Sequence, residues 1–429
     1  MDKSIKVLIT GDNGESLPTP FGGIIKRCLL HSRVWKDDHD AKVYMHIHHK
    51  HADENDLGAG ATYFYDFLRP PTVADKAWFL IKNFCLNPWL FLKFFYLEIS
   101  LVGELNFLAF IYHAARVVFL NRQVKAIKPD IIVTVTGGLK SLVSLEVAKK
   151  YKIPIILENY AEIQYRVKED GVNVAEKYRH LWKYLLNGMD LISSASQHCS
   201  EGPLKYVADS KKVTIIYNGI DFNIFNYSAG KDKNALRQIF NLPQDKFLVM
   251  AVGALKMRKG HDQLFEAMLK MPESEFQKIN VVLCGSGSME EIKEKAAQSG
   301  FPKDSLKIFQ GLTEENLAAL YASVDCFCFP SVTPRECMGM AMKEAMAAGL
   351  PVVAYDMGGI KEAVQNNVNG FLVGVGERET LAKRIIQIMR MDINQRELIK
   401  QNNIAKCQKM FDVNITANQF YREMLKLIK

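Results

Sequence analysis

Short apolar runs rich in Val and Ile alternate with longer stretches of helix-forming composition along almost the whole chain, and they do so in two series. The first series is Val7–Ile9, Val43–Ile47, Ile131–Val135, Ile155–Leu157, Leu191–Ser193 and Val213–Tyr217. The second is Phe247–Val252, Val281–Cys284, Leu306–Phe309, Cys326–Phe329, Val352–Tyr355 and Phe371–Val373. Runs this short and this apolar suit parallel strands covered on both faces by crossover helices. Two such series predict an α/β chain with two doubly wound domains facing each other across a cleft. The polar, irregular stretch 226–241 sets the expected boundary: 1–225 for the first domain, 226–411 for the second, and 412–429 as a terminal helix packing back towards the first.

A chain of 429 residues is long enough for two cores. Hydrophobic residues at 48% and charged residues at 24% exclude a disordered or fibrous chain. The eight cysteines lack the paired spacing of a zinc ribbon or a disulfide scaffold, which fits a reducing compartment. The first residues run directly into Val7–Ile9 without the charged and apolar regions of a signal peptide, so the expected location is cytoplasmic. A net charge of +8 suits an acidic partner: nucleic acid, anionic lipid or a phosphorylated small molecule. No recognition helix or RNA-binding signature accompanies the charge, and nucleic acid is not expected.

Ligands of doubly wound sheets collect at the carboxyl ends of the strands, where helix N-termini present free amides. After the first strand, Gly22-Gly23 opens a helix and would let a phosphate approach the backbone, although a plain tight turn explains the pair equally well. The segment Trp78–Leu120 is unusually aromatic, yet Lys82, Lys93, Glu98, Glu104 and Arg116 interrupt it and Pro88 breaks it. It is no membrane span. Two readings stay open: helices packed on the first sheet, or a hairpin whose aromatic face and nearby lysines touch an anionic membrane surface on its inner face. The cluster His46, His48, His49 and His51 has no completing cysteine or carboxylate arrangement, and no metal is expected there.

In the second series, Val252-Gly253-Ala254-Leu255-Lys256-Met257-Arg258-Lys259-Gly260 reads as strand, glycine turn and cations just before a helix. Lys259 would bring a mobile point charge and Arg258 a planar fork to a phosphate. The next strand ends in Gly285-Ser286-Gly287, which lacks the third glycine of a dinucleotide fingerprint. After Phe329, a loop carries Glu336 and a helix starts near Gly339 and Met340, placing Glu344 in its second turn. One carboxylate then stands beside whatever the helix start binds and the other about a turn deeper. Carboxylates accept hydrogen bonds from vicinal hydroxyls, so a ligand with phosphates between two hydroxylated rings satisfies the set. A nucleotide sugar has that layout.

With these residues in view, the chain resembles glycosyltransferase family 4, retaining enzymes with the two-domain, Rossmann-like GT-B architecture. The resemblance rests on Gly22-Gly23, Asn218-Gly219-Ile220-Asp221, Gly253 with Lys259-Gly260, the E-x7-E pair Glu336 and Glu344, Gly358-Gly359 with Glu362, and Asn369-Gly370-Phe371-Leu372-Val373. It implies a catalytic set of Glu336, Lys259 and Arg258, with Glu336 meeting the transferred sugar. It implies a donor site formed by Gly22, Gly23, Gly253, Lys259, Gly285, Gly339, Met340 and Glu344, with Glu344 holding the ribose hydroxyls. It further implies a glycan, lipid-linked or small-molecule acceptor in polysaccharide or glycolipid biosynthesis, retention of anomeric configuration, and no cofactor. No D-x-D pair stands at a matching loop, which agrees with a metal-independent family. Two positions depart from the pattern. Ala254 replaces an arginine of the phosphate loop, and Glu158-Asn159-Tyr160 stands where many relatives carry a histidine; Glu158, Tyr160 and Glu162 are candidate sugar or acceptor contacts. These departures keep a non-catalytic carbohydrate-binding relative open as an alternative, whereas a dehydrogenase or epimerase is disfavoured by the missing fingerprint.

Overall fold

The structure is a computed structural model, and it describes residues 4–11, 23–47, 62–65, 85, 88–102, 107–160, 163, 178–228, 230–333 and 336–428. The chain forms two compact units, Met1–Tyr217 with Thr416–Lys429, and Asn218–Ile415. The division falls at Tyr217/Asn218, ahead of the expected 225/226. The helix Phe222–Ser228 belongs to the second unit, where Phe225 meets Tyr321 edge-on with centroids 5.8 Å apart.

Unit 1 holds a seven-stranded sheet of β1 (Lys6–Gly11), β2 (Lys42–Ile47), β3 (Thr62–Tyr65), β4 (Ile131–Val135), β5 (Ile155–Asn159), β6 (Leu191–Ser194) and β7 (Val213–Ile215). Its order is β3-β2-β1-β4-β5-β6-β7, with every pair parallel. The chain winds one way from β1 to β3 and the other way from β4, so the switch point lies between β1 and β4. Val7 stands opposite both Val43 and Ile131 across that junction. Leu8, Ile132, Leu157 and Ile192 bury one face against Leu142, Leu145, Trp182 and Leu185 of the helices Leu139–Tyr151 and Arg179–Gly188.

Unit 2 repeats the design with β8 (Phe247–Val252), β9 (Ile279–Cys284), β10 (Leu306–Phe309), β11 (Cys326–Phe329), β12 (Val352–Tyr355) and β13 (Gly370–Val373). Its parallel order is β10-β9-β8-β11-β12-β13, which puts the switch point between β8 and β11. Val249, Val281, Cys328 and Val353 pack against Leu264, Phe265 and Met268 of helix His261–Leu269 and Leu381 and Ile385 of helix Arg378–Met389. Fully apolar strands of this kind need helices on both faces, and here they have them.

The last helix, Val413–Leu427, returns the chain to unit 1. The indole N–H of Trp35 donates to the Ala417 carbonyl at 2.8 Å, and Phe420 packs on Trp35 with centroids 5.4 Å apart.

Candidate functional site

The loops that leave β8 and β11 meet at the switch point of unit 2, where a doubly wound sheet binds its ligand. Lys259 comes from the first loop and Glu336 from the second, and the lysine ammonium pairs with the glutamate Oε1. The Ser331 hydroxyl donates to the same oxygen at 3.1 Å. The two loops are also joined through their backbones. The Arg258 carbonyl accepts from the Val332 amide at 3.3 Å and lies 3.4 Å from the Ser331 hydroxyl, whose one proton it shares with Glu336. Arg258 therefore contributes its carbonyl to the frame while its side chain is exposed. The loop after β12 closes a third side, with the Gly359 amide donating to the Glu336 carbonyl at 3.3 Å. Glu336 is 8% exposed.

Two glycines are required by close approach. A Cβ on Gly285 would stand 1.7 Å from the Gly253 carbonyl oxygen, so the loops after β8 and β9 lie backbone against backbone. Gly339 has φ +63°, and a Cβ there would meet the Phe329 ring at 2.6 Å. Among the described residues, Gly339 starts the helix Met340–Ala347 without a capping side chain, and the first amides of a helix have no partner within it. A helix start and a lysine ammonium at the end of a strand are groups of the kind that attract an anion.

Glu344 lies one turn deeper, 4% exposed. The Tyr321 hydroxyl is 3.2 Å from its Oε2 and 3.0 Å from the Ala341 carbonyl, so one phenol proton is shared between two acceptors. Burial, with the Glu344 carboxylate adding to it, pushes the Cys284 thiol at the end of β9 up to about 12. Tyr321 escaped the sequence reading because its ring packs against Phe225 and Phe327 like any core aromatic; only the direction of its hydroxyl sets it apart. At Ala254, the side chain that could have carried a charge is absent, and its carbonyl accepts from His261 Nε2 at 3.1 Å. Burial keeps His261 below the usual imidazole range.

In unit 1, Gly22 and Glu162 lie outside the described residues, as do His48, His49 and His51; Gly23 is the first residue of the helix Gly23–His39. Glu158 and Tyr160 are engaged differently from the sugar or acceptor contacts expected of them. The Glu158 carboxylate forms a buried ion pair with Arg27 at 3.0 Å. The Tyr160 hydroxyl donates to Glu158 at 2.7 Å and accepts from Arg27 at 2.9 Å. An ion pair enclosed this way keeps its members together, because separating them leaves a buried charge uncompensated. Among the described residues no cluster of three His, Cys, Asp or Glu side chains could hold a metal.

A cavity of about 830 Å³ lies elsewhere in unit 2, lined by Lys270, Met271, Lys383, Ile386 and Arg390. It shares no residue with the Lys259–Glu336–Glu344 group.

Residues 232–405 match the family of glycosyl transferases group 1. The matched segment contains Lys259, Glu336, Tyr321 and Glu344. Curated relatives include a D-inositol 3-phosphate glycosyltransferase of Xylanimonas cellulosilytica, 29% identical over 43% of this chain and 44% of its own length. An uncharacterized glycosyltransferase of Methanocaldococcus jannaschii is 31% identical over 44% of this chain and 48% of its own. A sulfoquinovosyl transferase of Arabidopsis thaliana is 27% identical over 65% of this chain and 53% of its own. The chain spans about half the length of the curated relatives it matches. Solved structures match across the full fold. A sucrose-phosphate synthase from Thermosynechococcus elongatus has a TM-score of 0.75 at 18% identity, covering 99% of this chain and 100% of that one. HepE of Anabaena, in complex with UDP and glucose, has a TM-score of 0.70 at 20% identity, covering 98% and 99%. A glycosyltransferase from Rickettsia africae has a TM-score of 0.74 at 15% identity over the whole of both chains. The two-unit α/β architecture of this chain is thus that of GT-B glycosyltransferases.

Proposed function

We propose that the protein is a retaining, metal-independent glycosyltransferase of family 4 that moves a sugar from a nucleoside diphosphate donor to a glycan, lipid-linked or small-molecule acceptor. The observation that carries this reading is the convergence of Lys259, Glu336 and the uncapped helix start at Gly339 on the switch point of unit 2, with Glu344 one turn deeper. The match of residues 232–405 to glycosyl transferases group 1 supports it.

Breaking the anomeric bond builds negative charge on the departing diphosphate and positive character on the sugar. Lys259 and the first amides of helix Met340–Ala347 stabilise the diphosphate, and Glu336 stands on the sugar side. Arriving phosphate oxygens compete with Glu336 for Lys259, so donor binding exchanges one ion pair for another and frees the carboxylate to accept from sugar hydroxyls. Glu344 accepts from the ribose hydroxyls. Gly253 lets the donor approach the backbone at the end of β8, whereas the missing side chain of Gly285, expected to face the donor, makes room for the Gly253 carbonyl instead.

The protein is further proposed to act against the inner face of a membrane. On helix Pro88–Val102, the exposed apolar residues Trp89, Leu92, Tyr96 and Ile99 recur at spacings of one helical face, with Trp89 84% and Tyr96 70% exposed. An aromatic stripe of this kind suits the headgroup boundary. Lys93 is tied to the buried Glu146 at 2.5 Å, so the apolar stripe bears more of the contact than the sequence reading assumed. None of the described helices is long and apolar enough to cross a membrane.

The deciding experiment is a thermal-shift screen with UDP, GDP, ADP and CMP, followed by donor turnover with and without added acceptors. One nucleotide at a hundred times its dissociation constant should add about 2.7 kcal/mol of stability. No shift with any nucleotide overturns the reading, and a shift without turnover on any donor favours a carbohydrate-binding role.

A further inference from the structure

Lys343 is almost fully buried, 1% exposed, in the middle of the helix that joins Gly339 to Glu344. Taking an ammonium out of water costs several kcal/mol unless it is well partnered, so its partners identify what the lysine is for. The chain passes between the two units twice, at Tyr217/Asn218 and at Ile415/Thr416. Lys343 touches both passages from within unit 2. Its Nζ donates to the Asn218 carbonyl at 2.5 Å and stands 5.4 Å from the centroid of the Phe411 ring. The passages are laced to each other: the Ile220 amide donates to the Phe411 carbonyl at 2.8 Å and the Val413 amide to the Ile220 carbonyl at 2.9 Å. The Lys343 carbonyl also accepts from the Cys407 thiol at 3.4 Å, on the helix Ile393–Met410 that leads into the second passage.

We infer that Lys343 is a positioning residue that ties the nucleotide-binding helix to both segments linking the units, so that donor occupancy is felt where the chain passes from one unit to the other. A helix turns about 100° per residue, so the adjacent side chains of Lys343 and Glu344 leave it in different directions. Glu344 reaches the Tyr321 hydroxyl and Lys343 reaches the passages. Holding the helix start with a diphosphate therefore holds the anchor of both passages. The ammonium suits this task because a carbonyl and the face of an aromatic ring both attract a cation, so one group can grip two segments.

The nucleotide part of this inference rests on the proposed function, whereas the tie does not, and the test separates them. Hydrogen exchange is followed at the Ile220 and Val413 amides in the full chain, with and without the nucleotide that the thermal-shift screen selects. In the wild type, nucleotide should slow both amides about tenfold. Lys343→Met keeps the stem and removes the charge. Without nucleotide it should speed exchange at both amides about tenfold; with nucleotide the amides should no longer respond, although affinity stays within about threefold. Turnover per folded molecule should fall while the donor KM is held, with an unchanged melting temperature showing that the variant is folded. Wild-type exchange in the variant without nucleotide overturns the tie, and an undiminished nucleotide response overturns the coupling. If Lys343→Met does not fold, Phe411→Leu removes one partner of the ammonium and should shift both amides in the same direction by less. Wild-type protein that takes up no nucleotide overturns the proposed function, and the comparison without nucleotide still decides the tie.

Discussion

Lys259 and Glu336 hold each other through the loops after β8 and β11, so removing either leaves the other in a partly enclosed site with an altered charge. Lys259→Ala should lower turnover about a hundredfold or more, the usual effect of losing one preorganised donor at a site of developing charge. Turnover within threefold of wild type, on protein with an unchanged melting temperature, would end Lys259's assignment to the diphosphate. Tyr321 and Glu344 predict a different signature. Glu344→Gln keeps one acceptor oxygen and should weaken nucleotide binding about tenfold to a hundredfold, the loss of one charge-assisted hydrogen bond of about 1.5 to 3 kcal/mol. Tyr321→Phe should weaken it less, since only the orientation of the carboxylate is relaxed. Glu336→Gln should instead lower kcat more than it raises the donor KM. Titration calorimetry with the preferred nucleotide, set beside transfer rates, distinguishes the three; equal losses in affinity would place both carboxylates at the same ring.

At the scale of elements, the stripe on helix Pro88–Val102 can be tested apart from catalysis. Burying a large side chain at a lipid boundary contributes about 1.5 to 3 kcal/mol, so Trp89→Ser with Tyr96→Ser should reduce cosedimentation with anionic vesicles at least about tenfold. Unchanged binding in the double variant would remove the stripe from the membrane reading. The same scale shows what could be read from sequence. Strands β1, β2, β4 to β6 and β8 to β13 stand where short apolar runs placed them, because a strand buried on both faces has little freedom except to be apolar. β7 is shorter than its apolar run, ending at Ile215. β3, Thr62–Tyr65, went unseen: at the edge of the sheet, its hydroxyl-bearing Thr62, Tyr63 and Tyr65 leave too weak an apolar pattern to be separated from a loop. The loops after β8 and β11 were legible since Lys259 and Glu336 sit at fixed offsets from glycines. The buried ion pair of Arg27 and Glu158 was not, because its members are far apart in sequence and neither belongs to a local motif.

At the scale of the whole molecule, the terminal segment 416–429 is a structural part of unit 1, held by Trp35 and Phe420. Phe420→Ala should destabilise unit 1 by about 3 to 5 kcal/mol, as truncation of a buried aromatic commonly does. Urea unfolding followed by hydrogen exchange should show the loss in strands β1 to β7, with β8 to β13 unaffected. Equal loss in both sheets would mean that the two units unfold as one. The arrangement also bears on how the protein is made. Unit 2 is continuous in the chain and can close on itself without the segment 416–429. Unit 1, although synthesised first, must wait for its last helix. A released chain cut after residue 415 should therefore carry a folded second half and an unfinished first half, with Trp35 and its neighbours left open to chaperones.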